Sequence, residues 1–411
     1  MSTLPSSTAG RDMRVLTLVS TGHFMSHYSQ LILPALFPLM TDMYSVGYAA
    51  LGLIVTLINA SGAVAQIPVG FLVDRIGAKN LLVAGLLVKT LAIGAMAMTD
   101  SYSMLLVLAV VAGFGHSVFH PADYAILMSS IDESRIGRAF SVHTASGNAG
   151  SAIAPLLILM IATQWGVKGA LLSIALFGVL TALALVLQSG IIQDHVGAKK
   201  KKGTPSHKSS SVIEDLKMLA RPNILILYLF FFITAMITVG VNSFTVTGLN
   251  VAHDLALPVA GTALTTFLVG GLLGVLVGGY LADKTDRHDM VAAVSFLLCA
   301  GLLFLIGFYN LPLFALMSAY ALLGVLLGLI KPARDMMVRA VTDKRDAGKM
   351  FGFMSNGHFL GAAAVPVLLG WVVDQGQVRW VFWLGAIFCL LALFSLATTT
   401  AGAKNAKTDP E

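Results

Sequence analysis

Long apolar runs recur along this chain, and each is long enough to cross a membrane as a helix. The hydrocarbon core is ~30 Å thick and takes ~20 helical residues to span. Twelve such runs can be counted, at about 15–40, 48–70, 79–99, 102–130, 138–163, 167–189, 223–247, 259–282, 290–309, 312–340, 347–372 and 379–400. Two contain a proline near the middle, Pro121 and Pro332. A lipid-buried helix tolerates this when its neighbours satisfy the freed backbone groups. Of the 411 residues, 57% are apolar and 11% charged, whereas a soluble domain averages about 25% charge. The pattern predicts an all-α membrane protein with twelve transmembrane helices.

Two stretches of the chain match each other 211 positions apart without a gap. One begins at His120 and the other at Lys331. Pro121 falls on Pro332, Ala122 on Ala333, Asp132 on Asp343, Gly137 on Gly348, Phe140 on Phe351 and Pro155 on Pro366. The twelve runs therefore divide into two pseudo-symmetric six-helix halves, residues 1–189 and 223–400. Between them lies a polar stretch, 190–222, with a lysine run, Pro205 and Ser209–Ser211; residues 401–411 form a polar tail. Duplicated membrane halves with a substrate site between them are how many secondary transporters are built. The question becomes one of cargo.

A net charge of +6 could suggest a nucleic-acid partner, but the basic residues sort by side of the membrane. With the N-terminus inside, Arg11, Arg14, Arg75, Lys79, Arg135, Arg138, the Lys199–Lys202 cluster, Lys284, Arg287, Arg339 and Lys344 all fall on cytoplasmic segments. The outer loops hold only Lys168 and Arg379. Basic loops stay on the cytoplasmic side, so both termini are expected inside a cytoplasmic (inner) membrane, with 190–222 a cytoplasmic basic linker. Its charge suits the anionic inner leaflet rather than nucleic acid. The first residues are polar, and the first apolar run is too long for a signal-peptide core. Cys299 and Cys389 fall inside spans and are expected as free thiols.

Between spans 2 and 3 the chain reads Gly70-Phe-Leu-Val-Asp74-Arg75-Ile-Gly77-Ala-Lys79, with a degenerate copy after span 8, Gly279-Tyr-Leu-Ala-Asp283-Lys284. This resembles the signature loop of the major facilitator superfamily, and the resemblance extends over the whole six-plus-six layout. It implies that Gly70, Asp74, Arg75, Gly77 and Asp283 belong to a conformational latch, made in one state and broken in the other. It also implies that spans 1, 4, 7 and 10 line a central cavity while 3, 6, 9 and 12 lie outside. Within the superfamily, the histidine-bearing first span, the His120-Pro121 pair and Gly147-Asn148-Ala-Gly150…Pro155 of span 5 are similar to the fosmidomycin-resistance-type efflux proteins. The span 5 residues would form a helix-packing motif. Two positions depart from the pattern. Ala109 stands where the superfamily often has an arginine linked to proton coupling, and Ala154 precedes Pro155, leaving the antiporter-type glycine pattern incomplete.

Six of the ten histidines lie at membrane depth: His23, His27, His116, His120, His143 and His358. Ionisable groups there cost ~2.5–3.5 kcal/mol each when fully charged, so they face the bundle interior or water. His23 with His27, and His116 with His120, are i,i+4 pairs on single helix faces, and Asp123 extends the second face. Histidine exchanges protons near neutral pH, so a relay on spans 1 and 4 is chemically reasonable, with neutral packing donors as the alternative for any single ring. Four imidazoles could also hold a transition metal, but no cysteine or acidic cluster reinforces it, and no metal or cofactor is assigned.

Lys331 takes the place of His120 in the second half, followed by Arg334 and Asp335. A lysine at that depth needs an anionic partner, a shifted pKa or water; Asp335 at i+4 and the symmetry-related Asp123 are the candidate partners. Arg334 reads as gate or ion-pair structure. Asn242 in span 7 is an uncharged group for substrate or a neighbouring helix. Lys89 lies in the middle of outer span 3, where the sequence offers it no function. The deep polar residues are mostly His and Lys, with acids placed near the edges (Asp42 outer, Asp123 and Asp335 inner). This favours an anionic or zwitterionic small molecule, exchanged for protons and exported, by a monomer with no catalytic residues. Uptake of an organic acid or metal chelate is the alternative, and a membrane-embedded metal-dependent enzyme is the reading from another class.

Overall fold

The computed structural model describes residues 8–192, 218–285, 287–340, 342 and 347–405. The chain divides into two compact units, Met1–Lys200 and Lys201–Glu411, and no strand occurs among the described residues. Most of the basic linker 190–222 and the end of the 401–411 tail lie outside the described residues, as do the side chains of Asp74 and Asp283.

The first unit contains α1 (Thr8–Tyr28), α2 (Ile32–Tyr44), α3 (Tyr48–Ile76), α4 (Ala78–Ala95), α5 (Tyr102–His116), α6 (Phe119–Ser130) and α7 (Ile136–Leu187). The second contains α8 (Pro222–His253), α9 (Leu257–Lys284), α10 (His288–Phe308), α11 (Leu313–Ala340), α12 (Ala347–Asp374) and α13 (Trp380–Asn405). These thirteen helices make twelve spans by a simple accounting. Span 1 is broken into α1 and α2, and span 4 into α5 and α6. The long α7 holds spans 5 and 6, reversing at Gly166, whose φ of 67° lies outside helical space. Glycine reaches such a φ without steric cost. Nine described helices are long and apolar enough to cross a membrane.

Span 4 opens at Ser117, four residues before Pro121, where the carbonyl loses its i→i−4 donor because proline has no N–H. Pro332, its counterpart, lies inside an uninterrupted α11.

Both units pack their helices in the same pairs. Span 1 (α1) lies on span 5 (the first part of α7), as span 7 (α8) lies on span 11 (α12); α3 packs on α5 as α9 packs on α11. Small residues permit this closeness. A Cβ on Gly150 would collide with the Phe24 carbonyl, and one on Gly361, 211 positions later, with the Phe232 carbonyl. Helices without a water-driven hydrophobic term between them associate through such close contact.

Candidate functional site

The predicted site residues of the first half converge; those of the second half do not. Asp123, on α6, is fully buried. Its Oδ2 lies 3.0 Å from His23 Nδ1 on α1 and 3.4 Å from His143 Nε2 on α7. The His23 and His143 rings are 3.8 Å apart between centroids. His27 and His120 close the group, with centroids 4.6 and 5.6 Å from His23. His27 Nδ1 meets Ser151 Oγ at 3.3 Å. Five ionisable side chains from three spans thus share one buried volume.

The glycines of span 5 make room for it. A Cβ on Gly147 would stand 2.7 Å from the His23 ring and 2.9 Å from that of His27. Gly147 and Gly150 therefore act as the expected packing motif, with Pro155 buried one turn further on and Asn148 half-buried.

Asp123 is the centre of the histidine cluster, its Oδ2 facing both His23 and His143. Its Oδ1, the Nδ1 of His120 and both ring nitrogens of His143 are buried without a hydrogen-bond partner among the described residues. A buried polar atom left open this way is costly unless a proton or ligand uses it. His23, Asp123 and His143 each bring a ligand atom within 4.8 Å of the others, a spacing a metal could bridge.

In the sequence His143 is only one more deep histidine, outside the relay placed on spans 1 and 4; the structure sets it against Asp123 and His23. His116 stands apart. Its Nδ1 lies 3.2 Å from the Nζ of Lys89, which also donates to the Ser26 carbonyl at 2.6 Å. Lys89, from a span expected to lie outside, is 1% exposed and points inward.

In the second unit the expected Lys331–Asp335 pair is absent. Asp335 takes a hydrogen bond from Arg334 at 3.2 Å instead, and the Arg334 guanidinium also stacks 4.3 Å from the Phe231 ring centre. This bears on Arg334 as ion-pair structure. Lys331 is exposed and makes no hydrogen bond or ion pair with a described residue. Asn242 is half-buried with Oδ1 unpartnered among the described residues.

Of the latch residues, Gly77 has φ 92° and joins α3 to α4, its N–H bonded to the Val73 carbonyl at 3.1 Å; it is the tight turn the motif implies. A Cβ on Gly70 would meet nothing within 4 Å among the described residues. Arg75 is exposed. Nearby, at the same end of the first unit, Arg135 clamps Asp12 at 2.7 Å. The side chain and backbone of Ser134 hydrogen-bond Asp132 and hold its carboxyl below the usual range.

Comparison with known proteins agrees with this architecture. The family model of the Major Facilitator Superfamily matches residues 19–257 and 235–411. The chain is 25% identical to the fosmidomycin resistance protein of Escherichia coli (strain K12), over 93% of this chain and 92% of that protein. It is 23% identical to the bacillibactin exporter of Bacillus subtilis (strain 168), over 96% and 97% respectively. Among solved structures, a bacterial homolog to the human lysosomal transporter Spinster, inward-facing and occupied, superposes with a TM-score of 0.78 at 13% identity, covering 95% of this chain and 97% of that one. Sequence motif, duplicated helix pairs and family match agree: this chain belongs to the major facilitator superfamily and is a multi-pass membrane transporter of small molecules, not an enzyme.

Proposed function

We propose that the chain is a proton-coupled exporter of small anionic or zwitterionic molecules in which His23, Asp123 and His143 hold the coupling proton. The observation that carries this is the fully buried Asp123 carboxylate, set between two imidazoles with its second oxygen open. Imidazole and carboxylate can pass a proton between Nδ1 and Oδ2 without exposing a charge, since the pair exchanges an ionic for a neutral hydrogen bond. The three groups come from spans 1, 4 and 5, so the protonation state changes what holds those spans together. A buried ionised pair binds more tightly than a neutral one but costs more desolvation. The balance is therefore responsive to the gradient.

The cargo reading rests on the second unit. Lys331 is an exposed ammonium without a protein acceptor among the described residues, and Asn242 presents an unsatisfied carbonyl oxygen. An anion would satisfy the first, and a donor on a zwitterion the second. The outward direction is supported by relatives of matching length named for fosmidomycin resistance, bacillibactin export and multi-drug efflux. The carrier would work as a monomer in the cytoplasmic membrane, both termini cytoplasmic, with Asp74, Arg75 and Asp283 in the latch.

Purified protein in proteoliposomes with a lumenal pH dye tests the reading. Small organic anions, phosphonates and lipophilic cations are added in turn under an imposed pH gradient. An anion should trigger proton movement that Asp123→Asn abolishes. Lys331→Ala should raise the half-saturating anion concentration about tenfold or more, as loss of one charge-assisted contact does. Flux triggered only by cations would overturn the cargo class, and flux surviving Asp123→Asn would overturn the proton site.

A further inference from the structure

Lys89 is a buried cation with no carboxylate within 4 Å among the described residues. Its acceptors are the Ser26 carbonyl at 2.6 Å and His116 Nδ1 at 3.2 Å, with the Phe119 ring centre 5.8 Å away. Both acceptors sit at the broken end of a span. In α1, which stops at Tyr28, the Gln30 amide turns to the His27 carbonyl, and the Ser26 carbonyl accepts from the Ser29 hydroxyl at 2.9 Å as well as from Lys89. His116 is the last residue of α5. The crossing that delivers Lys89 there is fixed by backbone contact, because a Cβ on Gly115 would lie 2.5 Å from the Lys89 nitrogen and 2.7 Å from the Gly85 carbonyl.

Helix C-termini carry partial negative charge. In transporters with discontinuous spans, unwound carbonyls and such C-terminal ends coordinate a monovalent cation. Here one unwound carbonyl, that of Ser26, and the His116 ring at the end of α5 face one point, and a side-chain ammonium fills it. We propose that Lys89 is a tethered cation occupying a monovalent-cation site between the broken ends of spans 1 and 4, a positioning residue that holds both breaks and frees the carrier from any need for sodium. Lys89 makes no hydrogen bond or ion pair with His23, Asp123 or His143.

Removing the tether should open the site to free cations. The full-length protein is purified in detergent as wild type, Lys89→Ala and Lys89→Met, and thermal unfolding is followed with ammonium, ethylammonium, sodium or choline chloride at equal ionic strength. Lys89→Ala should melt at least ~3 °C below wild type. Ethylammonium should restore much of that loss saturably and choline should not, while wild type should respond alike to all four salts. Lys89→Met, which keeps the volume and loses the charge, should stay destabilised in every salt. A Lys89→Ala protein indifferent to the small cations would overturn the proposal. So would a Lys89→Met protein as stable as wild type, and that comparison decides the matter if the alanine variant does not purify.

Discussion

The two halves share a skeleton and differ in chemistry. Gly150 and Gly361 press equivalent spans against a phenylalanine carbonyl, and Pro155 and Pro366 occupy equivalent helices. Yet 211 positions beyond His116, His143 and Lys89 stand Leu327, Met354 and Ala300, all buried and apolar. Spans 1 and 4 are broken; spans 7 and 10, as α8 and α11, run through. Threonines in α8 satisfy themselves on their own helix, Thr234 on Phe230 and Thr238 on Thr234, whereas His23, Asp123 and Lys89 of the first half reach across helices. Where Gly147 leaves space for two imidazoles, the second half has His358 filling its own place. Duplication conserves the way helices touch, while polar groups that need partners from several helices have been concentrated in one copy. The contrast is why the proposed proton site is assigned to the first half.

The sharpest way to break this comparison is to remove the equivalent residue from each half. Asp123→Ala strands two buried imidazoles and should destabilise by on the order of 3 kcal/mol. Arg334→Ala, at the matching position, breaks an ion pair with a half-exposed aspartate and should cost about 1 kcal/mol or less. Denaturant unfolding in detergent measures both, and equal losses would mean the halves are not specialised. The shared skeleton makes the opposite demand. Gly150→Ala and Gly361→Ala each push a methyl group into a backbone carbonyl and should cost about 1–3 kcal/mol, alike within error. A large effect in one half alone would show that the packing too has diverged. The smallest change belongs to Lys331→Ala, which loses no hydrogen bond or ion pair with a described residue and should leave stability within about 0.5 kcal/mol even as anion handling falls. A clear loss of stability would show that Lys331 holds the fold rather than the cargo.

Much of this is legible in the sequence alone. Hydropathy marks the twelve spans because length and apolarity are properties of each segment by itself. The i,i+4 spacing puts His23 beside His27, and helical geometry requires nothing further for that. Gly77 is readable as a turn since its motif is local. The relay is not readable in the same way. Its centre is Asp123, which depth along the chain places near an edge, and its third member, His143, is one deep histidine among six. Lys89 shows the limit most plainly. A lysine in mid-span demands an acceptor, so the need is visible, but its acceptor exists only because α1 unwinds after Tyr28 and α4 crosses α5 at Gly85 and Gly115.

The sequence by itself determined the membrane class, the six-plus-six layout, the family and the pool of polar residues available at depth. Those follow from composition, periodicity and repetition, which act over one or two helical turns. Only the tertiary structure decided which of these residues meet. Convergence of α1, α4, α5, α6 and α7 is set by close contacts between helices far apart in the chain, and a hydrogen-bond partner is fixed by a few ångströms of approach that no local pattern encodes.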